Sequence, residues 1–478
     1  MVNGTRAAAL CCSTLSLLLN EQLAFPGSQD YSASLSSYFS LQETSVQPAC
    51  VASPRTVQDV SIIVQAVTNP IARCQFAIRS GGHSSFANAA NIHDGVTIDL
   101  RGLDGIELNT EDSLVSVGVG SSWGSVYTQL DEHNLSVAGA RAFSVGVGGF
   151  SIGGGISYFA PRYGWGCDTV MNYVVVLANG SIVNANSQEN PDLLWALRGG
   201  SNNFGIVVRV DLRTFPQGNI WGGVVVHDLS TASQQIEAVS KFNNPDAYDE
   251  YSSLISSFGY IGAQGTSVII NNMENTKGLA NTTAFQNLSS IPSLQSTLRI
   301  TNMTNLAEET ETQQVSGLRE TSATVTIQST PEALEAVVGA WNASLPFVQD
   351  IQGLVWAIVL EPLPPAIYAR HATTNALGLV GQKQQALMIV MLSITWVDVG
   401  DDERVYTEAK RLLQVIEQRV SSLGALDPFI YLNYAASWQR PIHSYGEANV
   451  ERLLRIQEEY DPHRVFTNYV PGGFKIRG

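Results

Sequence analysis

The sequence predicts an α+β fold in which one chain forms two main domains. A chain of 478 residues is too long for one ordinary core, and 44% hydrophobic against 14% charged residues indicates a well-buried interior. Residues 45–216 alternate short strands and helices around clustered glycines, whereas residues 217–430 carry longer helical patterns between strands. The second pattern predicts a substrate domain with an antiparallel sheet covered by helices.

The individual elements follow from local patterns. Helices are predicted at residues 57–67, 123–130, 331–341 and 404–423, and strands at residues 75–78, 96–100, 114–117 and 386–396. Residues 174–183 predict two strands joined by an Asn179-Gly180 turn, because an Asn-Gly pair is a strong hairpin signal.

The N-terminal segment, residues 1–44, allows two interpretations. Arg6 and the apolar residues 7–19 have the charge and length of a signal peptide, although three polar residues interrupt the run. The alternative is an amphipathic helix of the mature protein, with four leucines on one side: Leu10, Leu15, Leu18 and Leu19.

The charge balance limits the class of partner. A net charge of −16 argues against binding a nucleic-acid backbone or an anionic membrane. No apolar run approaches the roughly 18 residues that span a bilayer. We therefore expect a small-molecule substrate, no nucleic-acid or membrane partner, and a monomer.

Cysteines and glycosylation triplets favour an oxidising secretory compartment and a secreted glycoprotein. Seven Asn-x-Ser/Thr triplets begin at Asn3, Asn134, Asn179, Asn281, Asn287, Asn302 and Asn342. The adjacent Cys11 and Cys12 cannot easily pair with each other, so Cys50 and Cys74 are each expected to pair with one of them. No Cys-x-x-Cys or His-x-x-x-His spacing indicates a metal site.

Three glycine-rich segments carry the chemistry. They are Arg79-Ser80-Gly81-Gly82-His83-Ser84, then Val145-Gly146-Val147-Gly148-Gly149, then residues 199–207. Glycine permits tight turns and close approach to a ligand, and backbone N–H groups in such turns can cradle a diphosphate without Lys or Arg. No Gly-x-Gly-x-x-Gly joins a strand to a helix, so a nicotinamide dinucleotide site is not indicated.

In this order the segments resemble the FAD-binding domain of the vanillyl-alcohol oxidase superfamily. The chain is most similar to the fungal-type branch of the berberine-bridge-enzyme-like oxidases, whose PCMH-type FAD-binding domain has two subdomains. Residues 431–478 resemble that family's C-terminal segment, which returns to the FAD domain. The family resemblance also favours the helical interpretation of the N-terminal segment.

The resemblance implies FAD linked covalently through the flavin 8α-methyl group to His83. It implies a cofactor site built from Arg79, Ser80, Gly81, Gly82, His83, Ser84, Val145, Gly146, Gly148, Gly149, Asp168, Val170, Gly205, Val207 and Asn433.

The resemblance also implies a single covalent link. Doubly linked members have a cysteine three residues before the Val-Gly-Val-Gly-Gly run, and this chain has Ala142 there. Cys167 does not match that position and is predicted to be a buried free thiol.

Two residues are candidates for catalysis. Removing a hydride from an alcohol carbon requires loss of the hydroxyl proton to an acceptor. Tyr434, after Asn433, matches the tyrosine that acts in relatives, although Ala435 and Ala436 follow where the family often has Asp. Glu361 stands where relatives often have Gln, and it is either a base or a solvent-exposed carboxylate at a strand end.

At a third position the chain lacks the proton acceptor that plant members of the family have. Met391 occupies the place of the plant-type Glu or Gln, and its thioether cannot accept a proton.

The implied reaction is oxidation of a small-molecule alcohol or secondary metabolite by hydride transfer to FAD, with O2 reoxidising the flavin to give H2O2. Two alternatives stay open. Some relatives use the flavin pocket to cyclise or isomerise a reactive intermediate, and a catalytically inactive flavin-binding protein is the third interpretation.

Overall fold

A computed structural model of the chain describes residues 4–70, 73–313, 317–379 and 385–477. Asn3, the first of the predicted glycosylation triplets, lies outside these ranges. Within them the α-helices are α1 (Gly4–Leu19), α2 (Gln29–Ser36), α3 (Leu41–Thr44), α4 (Val57–Val67), α5 (Trp123–Asp131), α6 (Val147–Ile152), α7 (Ala160–Tyr163), α8 (Pro191–Leu197), α9 (Ala232–Phe242), α10 (Gln286–Ser289), α11 (Met303–Glu311), α12 (Pro331–Ser344), α13 (Pro365–Tyr368), α14 (Asp402–Ser422), α15 (Glu447–Tyr460) and α16 (Val465–Asn468).

The first sheet places the His83 turn. Its strands are β1 (Leu23–Ala24), β2 (Cys50–Ala52), β3 (Phe76–Arg79) and β4 (Val96–Asp99), in the order β1-β2-β4-β3. The central strand β4 is parallel to both β2 and β3. Because the glycine turn begins directly after β3, it lies at the edge where the parallel strands end.

The second sheet is antiparallel and carries the predicted hairpin. Its strands are β5 (Ile106–Asn109), β6 (Leu114–Gly118), β8 (Val170–Val176), β9 (Ile182–Asn186) and β10 (Ile206–Arg213), in the order β5-β6-β10-β8-β9, and β7 (Leu135–Ser136) pairs separately with β11 (Phe215–Pro216). The Asn179-Gly180 turn joins β8 to β9, and Gly180 has a positive φ of 81° that suits glycine.

The third sheet is the predicted antiparallel sheet of the second domain. Its strands are β12 (Ile220–Asp228), β13 (Ser252–Ile261), β14 (Thr266–Asn275), β15 (Gln295–Ser296), β16 (Arg299–Thr301), β17 (Arg319–Gln328), β18 (Val355–Leu363), β19 (Leu387–Trp396) and β20 (Leu426–Asp427). Their order is β15-β12-β14-β13-β18-β19-β17-β20, with β16 also pairing with β12. The predicted α+β fold is confirmed.

The two faces of this sheet bury different residues, because side chains alternate along a strand. On β18, Ile358 and Leu360 pack into the core that α9, α12 and α14 complete. Val359 and Leu363 belong instead to the core of the first two sheets. Glu361 lies between Val359 and Leu363 on the same face, so its carboxylate is directed toward the glycine-rich domain.

Two disulfides tie helix α1 to the first domain. The bridges are Cys11–Cys74 and Cys12–Cys50, which confirms that each of the adjacent cysteines pairs with one of the two downstream ones. Cys167 is buried and free, as predicted.

The amphipathic pattern predicted for α1 was wrong at two positions. Leu10 and Leu18 are 46% and 55% exposed, whereas Leu15 and Leu19 are buried. The disulfides fix which side faces inward, so the cysteine side is buried and the neighbouring leucines turn outward.

Removing one bridge has a measurable expected cost. The Cys12→Ala/Cys50→Ala variant should lose roughly 4 kcal/mol of unfolding free energy, since its loop of 38 residues is no longer closed in the unfolded chain. Urea unfolding under non-reducing conditions measures this. As a control, alkylation of the unfolded, unreduced wild type should label Cys167 only, and five labelled thiols would contradict the pairing.

The C-terminal residues return to the first domain. The N–H of Phe76, at the start of β3, donates to the carbonyl of Tyr469 at 2.8 Å, and Asn203 donates to the carbonyl of Phe474 at 2.9 Å. Among the described residues, no helix has the length and apolar character needed to cross a bilayer. No cluster of three or more potential metal ligands forms within those ranges.

Candidate active site

The first two glycine-rich segments lie directly against each other. Ser80 Oγ donates to the carbonyl of Val119 at 2.6 Å and accepts the N–H of Gly148 at 3.1 Å. A Cβ on Gly81 would lie 2.6 Å from the Gly146 Cα, and one on Gly146 would lie 2.4 Å from the Gly81 nitrogen. Both positions therefore require glycine, and the two turns form one backbone-lined structure.

The two facing turns leave room for a ligand beside them. Nothing lies within 4 Å of the position that a Cβ on Gly149 would take, although Gly148, just before it, is tightly packed against Ser80. Helix α6 begins here, with Gly146 as N-cap and no side-chain cap. Facing turns next to open space suit an anionic group held by backbone N–H donors.

Four residues of the N-terminal segment hold the His83 turn. The rings of Phe39 and His83 are stacked, with centroids 3.8 Å apart and planes 18° apart. The Arg79 guanidinium lies over the Tyr38 ring and donates to the carbonyls of Ser34 and Ser37. The Arg79 side chain thus supports the turn from behind.

Asp168 and the third glycine-rich segment lead into neighbouring strands, since the short helical turn that contains Asp168 comes directly before β8 and residues 199–205 come directly before β10. The Asp168 carboxylate accepts from Asn375 Nδ2 at 2.8 Å and from the Trp165 N–H at 3.0 Å, and burial raises the pKa of Asp168 to about 6. The Val170 carbonyl accepts from Arg198 at 2.6 Å.

Gly205 directly precedes β10, and Val207 is the second residue of that strand, next to β8. Val207 pairs with Val175, and a Cβ on Gly205 would lie 2.4 Å from a Val175 methyl group. The next residue, Val208, accepts the N–H of Val119, whose carbonyl is bonded to Ser80. These described contacts are those of sheet packing, one strand away from the His83 turn.

Tyr434 and Glu361 meet at a buried arginine. Arg141 Nη2 lies 2.8 Å from Glu361 Oε1 and 2.5 Å from the Tyr434 hydroxyl oxygen. The Tyr434 hydroxyl donates to the same Glu361 oxygen at 2.8 Å. The Arg141 and Glu361 side chains are only 11% and 4% exposed. We call Arg141, Glu361 and Tyr434 the buried triad.

The buried triad corrects one interpretation of the sequence. Glu361 is not a solvent-exposed carboxylate, since the sheet packs its strand against the first domain and leaves the residue 3% exposed. Its second oxygen, Oε2, is buried without a hydrogen-bond partner among the described residues. Burial raises the pKa of Tyr434 well above its ordinary value, Arg141 opposes the rise, and Glu361 adds to it.

Sequence reasoning missed Arg141. It stands beside Ala142, the position compared with the family's second attachment cysteine, in the otherwise uncharged residues 134–149. A lone arginine in such an apolar stretch was the available signal, because a buried cation requires a carboxylate partner.

Asn433 and Met391 complete the surroundings. Asn433 donates to the Tyr431 hydroxyl at 3.1 Å, and a Cβ on Gly153 would collide with its side-chain oxygen, so the segment before Tyr434 lies against the end of α6. Met391 pairs with Val359, two residues before Glu361, on the same sheet face. The carboxylate therefore comes from the strand next to the one that carries Met391.

A cavity between the two domains reaches the buried triad. Its walls include two residues of the buried triad, Arg141 and Glu361. Polar groups come from Ser157, Asn243, Tyr248, Asp249, Ser252 and Ser253. Apolar walls with a few convergent polar groups are typical of small-molecule sites.

Comparisons with known proteins agree with this geometry. Residues 48–186 match the family described as FAD binding domain. The FAD-dependent monooxygenase sdcF of Emericella nidulans is 35% identical over 474 residues, covering 98% of both chains. The chain belongs to the family of FAD-dependent oxidoreductases that this relative represents.

Two further relatives of this chain carry names that describe other activities. The bifunctional solanapyrone synthase of Alternaria solani is 30% identical over 476 residues, covering 99% of this chain and 90% of that protein. Oligopeptidase PhomG' of Diaporthe leptostromiformis is 41% identical over 471 residues, covering 97% of this chain but 37% of that protein. The chain thus spans little more than a third of this last relative.

Solved structures share the family fold. The 6-hydroxy-D-nicotine oxidase of Arthrobacter nicotinovorans aligns with a TM-score of 0.76 at 18% identity, covering 94% of this chain and 96% of the other. Berberine bridge enzyme from Eschscholzia californica aligns with a TM-score of 0.75 at 18% identity, covering 97% and 99%.

The two facing glycine turns, residues 80–84 and 145–149, which we call the cradle, fit FAD, the cofactor of the family. Gly81 and Gly146 cannot carry side chains, and the open space beside Gly149 would take the diphosphate of FAD. The residues that would hold it are those of the two facing turns, residues 80–84 and 145–149.

Proposed function

We propose that this oxidoreductase oxidises a small-molecule alcohol or secondary metabolite, with FAD bound covalently through His83 and O2 as the final electron acceptor, which yields H2O2. The observation that carries the proposal is the buried triad, which reaches a cavity between the two domains. FAD supplies the hydride acceptor, and the protein must orient the substrate and take its hydroxyl proton.

The buried triad is suited to accept that proton. A phenol is a poor base near neutral pH, and burial raises the pKa of Tyr434 further. Tyr434 can nevertheless accept a proton at its oxygen while its own proton passes along the hydrogen bond to Glu361 Oε1, which lies 2.8 Å from the phenol oxygen. Arg141, 2.5 Å from the phenol oxygen, stabilises negative charge that develops there.

Glu361 offers a second contact to the substrate. Its Oε2 is buried and without a partner among the described residues, and the residue lines the cavity. A buried carboxylate oxygen without a donor is costly, so a substrate hydroxyl that donates to it would be held firmly. This favours substrates with at least two polar groups, one at each end of the Tyr434–Glu361 pair.

A single flavin attachment is expected because residue 142 is alanine. Peptide mapping of the holoenzyme should find flavin on one peptide, which contains His83. Cys167 should stay unmodified, because burial raises the pKa of its thiol well above the ordinary value and little reactive thiolate exists. Flavin on Cys167, or on two peptides, would contradict the single link.

Anaerobic mixing with candidate alcohols and metabolites tests the reaction type. An oxidase bleaches its flavin absorption on mixing and, in air, forms one H2O2 for each product molecule. Substrates first identified by H2O2 release would then be followed in a stopped-flow instrument. If no compound bleaches the flavin although products form, the proposal of an oxidase is wrong.

The alternative is cyclisation or isomerisation of a reactive metabolite in the flavin pocket. It is supported by the similarity to a relative named bifunctional solanapyrone synthase. Product formation without flavin bleaching in anaerobic mixing would favour it. A protein that gives neither result only binds flavin.

We also propose that the protein matures in the secretory pathway and is secreted. Two disulfides fasten α1 to the first sheet, and such bonds persist in oxidising compartments such as the secretory pathway.

A further inference from the structure

The His83 turn is held by a segment that lies outside the matched FAD binding domain. Residues 34–43, which we call the anchor clamp, pack along the turn. On the near side, the buried Arg79 guanidinium donates to the carbonyls of Ser34 and Ser37 at 2.6 and 2.8 Å. The start of the turn is therefore fixed to the anchor clamp and not only to its own sheet.

The far side of the turn is fixed by the same segment. The Glu43 carboxylate accepts the N–H groups of Asn88 and Ala90 at 3.0 and 2.6 Å. The Tyr38 hydroxyl donates to the Ala90 carbonyl at 3.0 Å. Both ends of residues 79–90 thus contact the anchor clamp, and His83 lies between these two ends.

Phe39 is the clamp residue that contacts His83 itself. Its ring is stacked on the imidazole at a centroid distance of 3.8 Å. Its N–H donates to the Gly82 carbonyl at 3.2 Å, and its carbonyl accepts the N–H of Gly317 at 3.0 Å. Backbone bonds on both sides fix the Phe39 main chain next to the turn, and the stacked ring limits rotation of the imidazole about its Cβ–Cγ bond.

We propose that Phe39 is a positioning residue for the covalent attachment of FAD, and that its ring aims a His83 nitrogen at the flavin 8α carbon. The inference rests on the proposed attachment through His83. In this step a nitrogen–carbon bond forms, one hydrogen leaves the 8α-methyl group and one leaves the imidazole, and the flavin becomes reduced by two electrons. O2 then takes up the two electrons and two protons to form H2O2, and the linked flavin is again oxidised.

Orientation matters for such a step because attack needs a narrow approach direction. Misplacement of a reacting group by about 1 Å can cost on the order of 10²-fold in rate. Leucine in place of Phe39 retains apolar contact but has no flat face to hold the imidazole plane. Tyrosine retains the flat face.

The test measures attachment itself and not turnover. Wild type, Phe39→Leu and Phe39→Tyr are prepared without flavin from riboflavin-starved cells, FAD is added, and acid-precipitable flavin is followed over time. Phe39→Leu should attach flavin on the order of 10²-fold more slowly, and Phe39→Tyr should attach it near the wild-type rate. Non-covalent FAD affinity, measured before attachment proceeds, should change little in either variant.

A matched control removes a different ring beside the same turn. Phe86 packs edge to face on Phe474, with centroids 5.7 Å apart, and not on His83. Phe86→Leu should attach flavin near the wild-type rate. If it slows attachment as much as Phe39→Leu, the effect is general loosening of the turn and the positioning role is wrong.

The possible outcomes distinguish an error in the role of Phe39 from an error in the proposed attachment of FAD through His83. If wild type never retains acid-stable flavin, the attachment through His83 is wrong. If wild type retains it and Phe39→Leu attaches flavin at the wild-type rate, only the role of Phe39 is wrong. Should Phe39→Leu fail to fold, Phe39→Met replaces it, because the flexible methionine fills the space without a flat ring.

Discussion

Replacing His83 by alanine should convert all of the enzyme's flavin into flavin that acid releases. The proposed bond to the flavin 8α carbon needs a ring nitrogen at this position, and alanine has none. FAD should still bind, because the substitution leaves the backbone of the two facing glycine turns in place. Acid precipitation followed by absorption spectra of pellet and supernatant measures the change.

The same variant should also oxidise its substrate more slowly, since a histidyl link raises the flavin's redox potential. His93→Ala is the matched control: this histidine is 70% exposed and pairs only with the exposed Asp94 among the described residues. It should keep its flavin in the acid pellet. Acid-stable flavin in His83→Ala would show that another residue carries the attachment.

The glycine turns were predictable because the glycines themselves are visible in the sequence, although the contact that requires Gly81 and Gly146 joins distant residues. Gly81 and Gly146 each lack room for a Cβ, and a turn that approaches another backbone this closely needs glycine at the point of contact. The hairpin at Asn179-Gly180 was predictable for the same reason. Strand β19 was predicted to within one residue at its start, because residues 387–392 form an uninterrupted apolar run.

The buried triad was only half predictable. Tyr434 and Glu361 stood out by position, but their partner Arg141 lies 220 residues before Glu361, and only packing of one domain on the other brings them together. Likewise, nothing local to Phe39 indicates that it will stack on His83. Pairings of this kind depend on tertiary structure, and residue patterns within single elements do not contain them.

Removing the Tyr434 hydroxyl should slow substrate oxidation by roughly 10²-fold or more, the usual scale for a lost acid–base group. Tyr434→Phe keeps the ring and its edge-to-face contact with Tyr431, so flavin content should stay normal. The rate of flavin bleaching in anaerobic mixing is the measurement. Tyr431→Phe is the matched control, because it removes a neighbouring hydroxyl that bonds Gly155 and Asn433 but neither Arg141 nor Glu361.

Glu361→Gln should produce a loss of similar size, since the amide cannot take the proton that Tyr434 passes on. It also leaves Arg141 buried without a carboxylate, at a cost of about 3–5 kcal/mol in stability. Rates must therefore be expressed per bound flavin. The variant Arg141→Met/Glu361→Gln, which removes the buried cation as well, separates lost stability from lost proton transfer.

The double variant Tyr434→Phe/Glu361→Gln decides whether the two residues act as one relay. If the proton moves through Tyr434 to Glu361, either single change already blocks the path, and the double variant should be no slower than the slower single one. Losses that multiply would mean that the residues contact the substrate independently, with Glu361 Oε2 holding one group and Tyr434 another. Unchanged bleaching in all three variants would exclude the buried triad from proton removal and favour cyclisation or isomerisation in the flavin pocket.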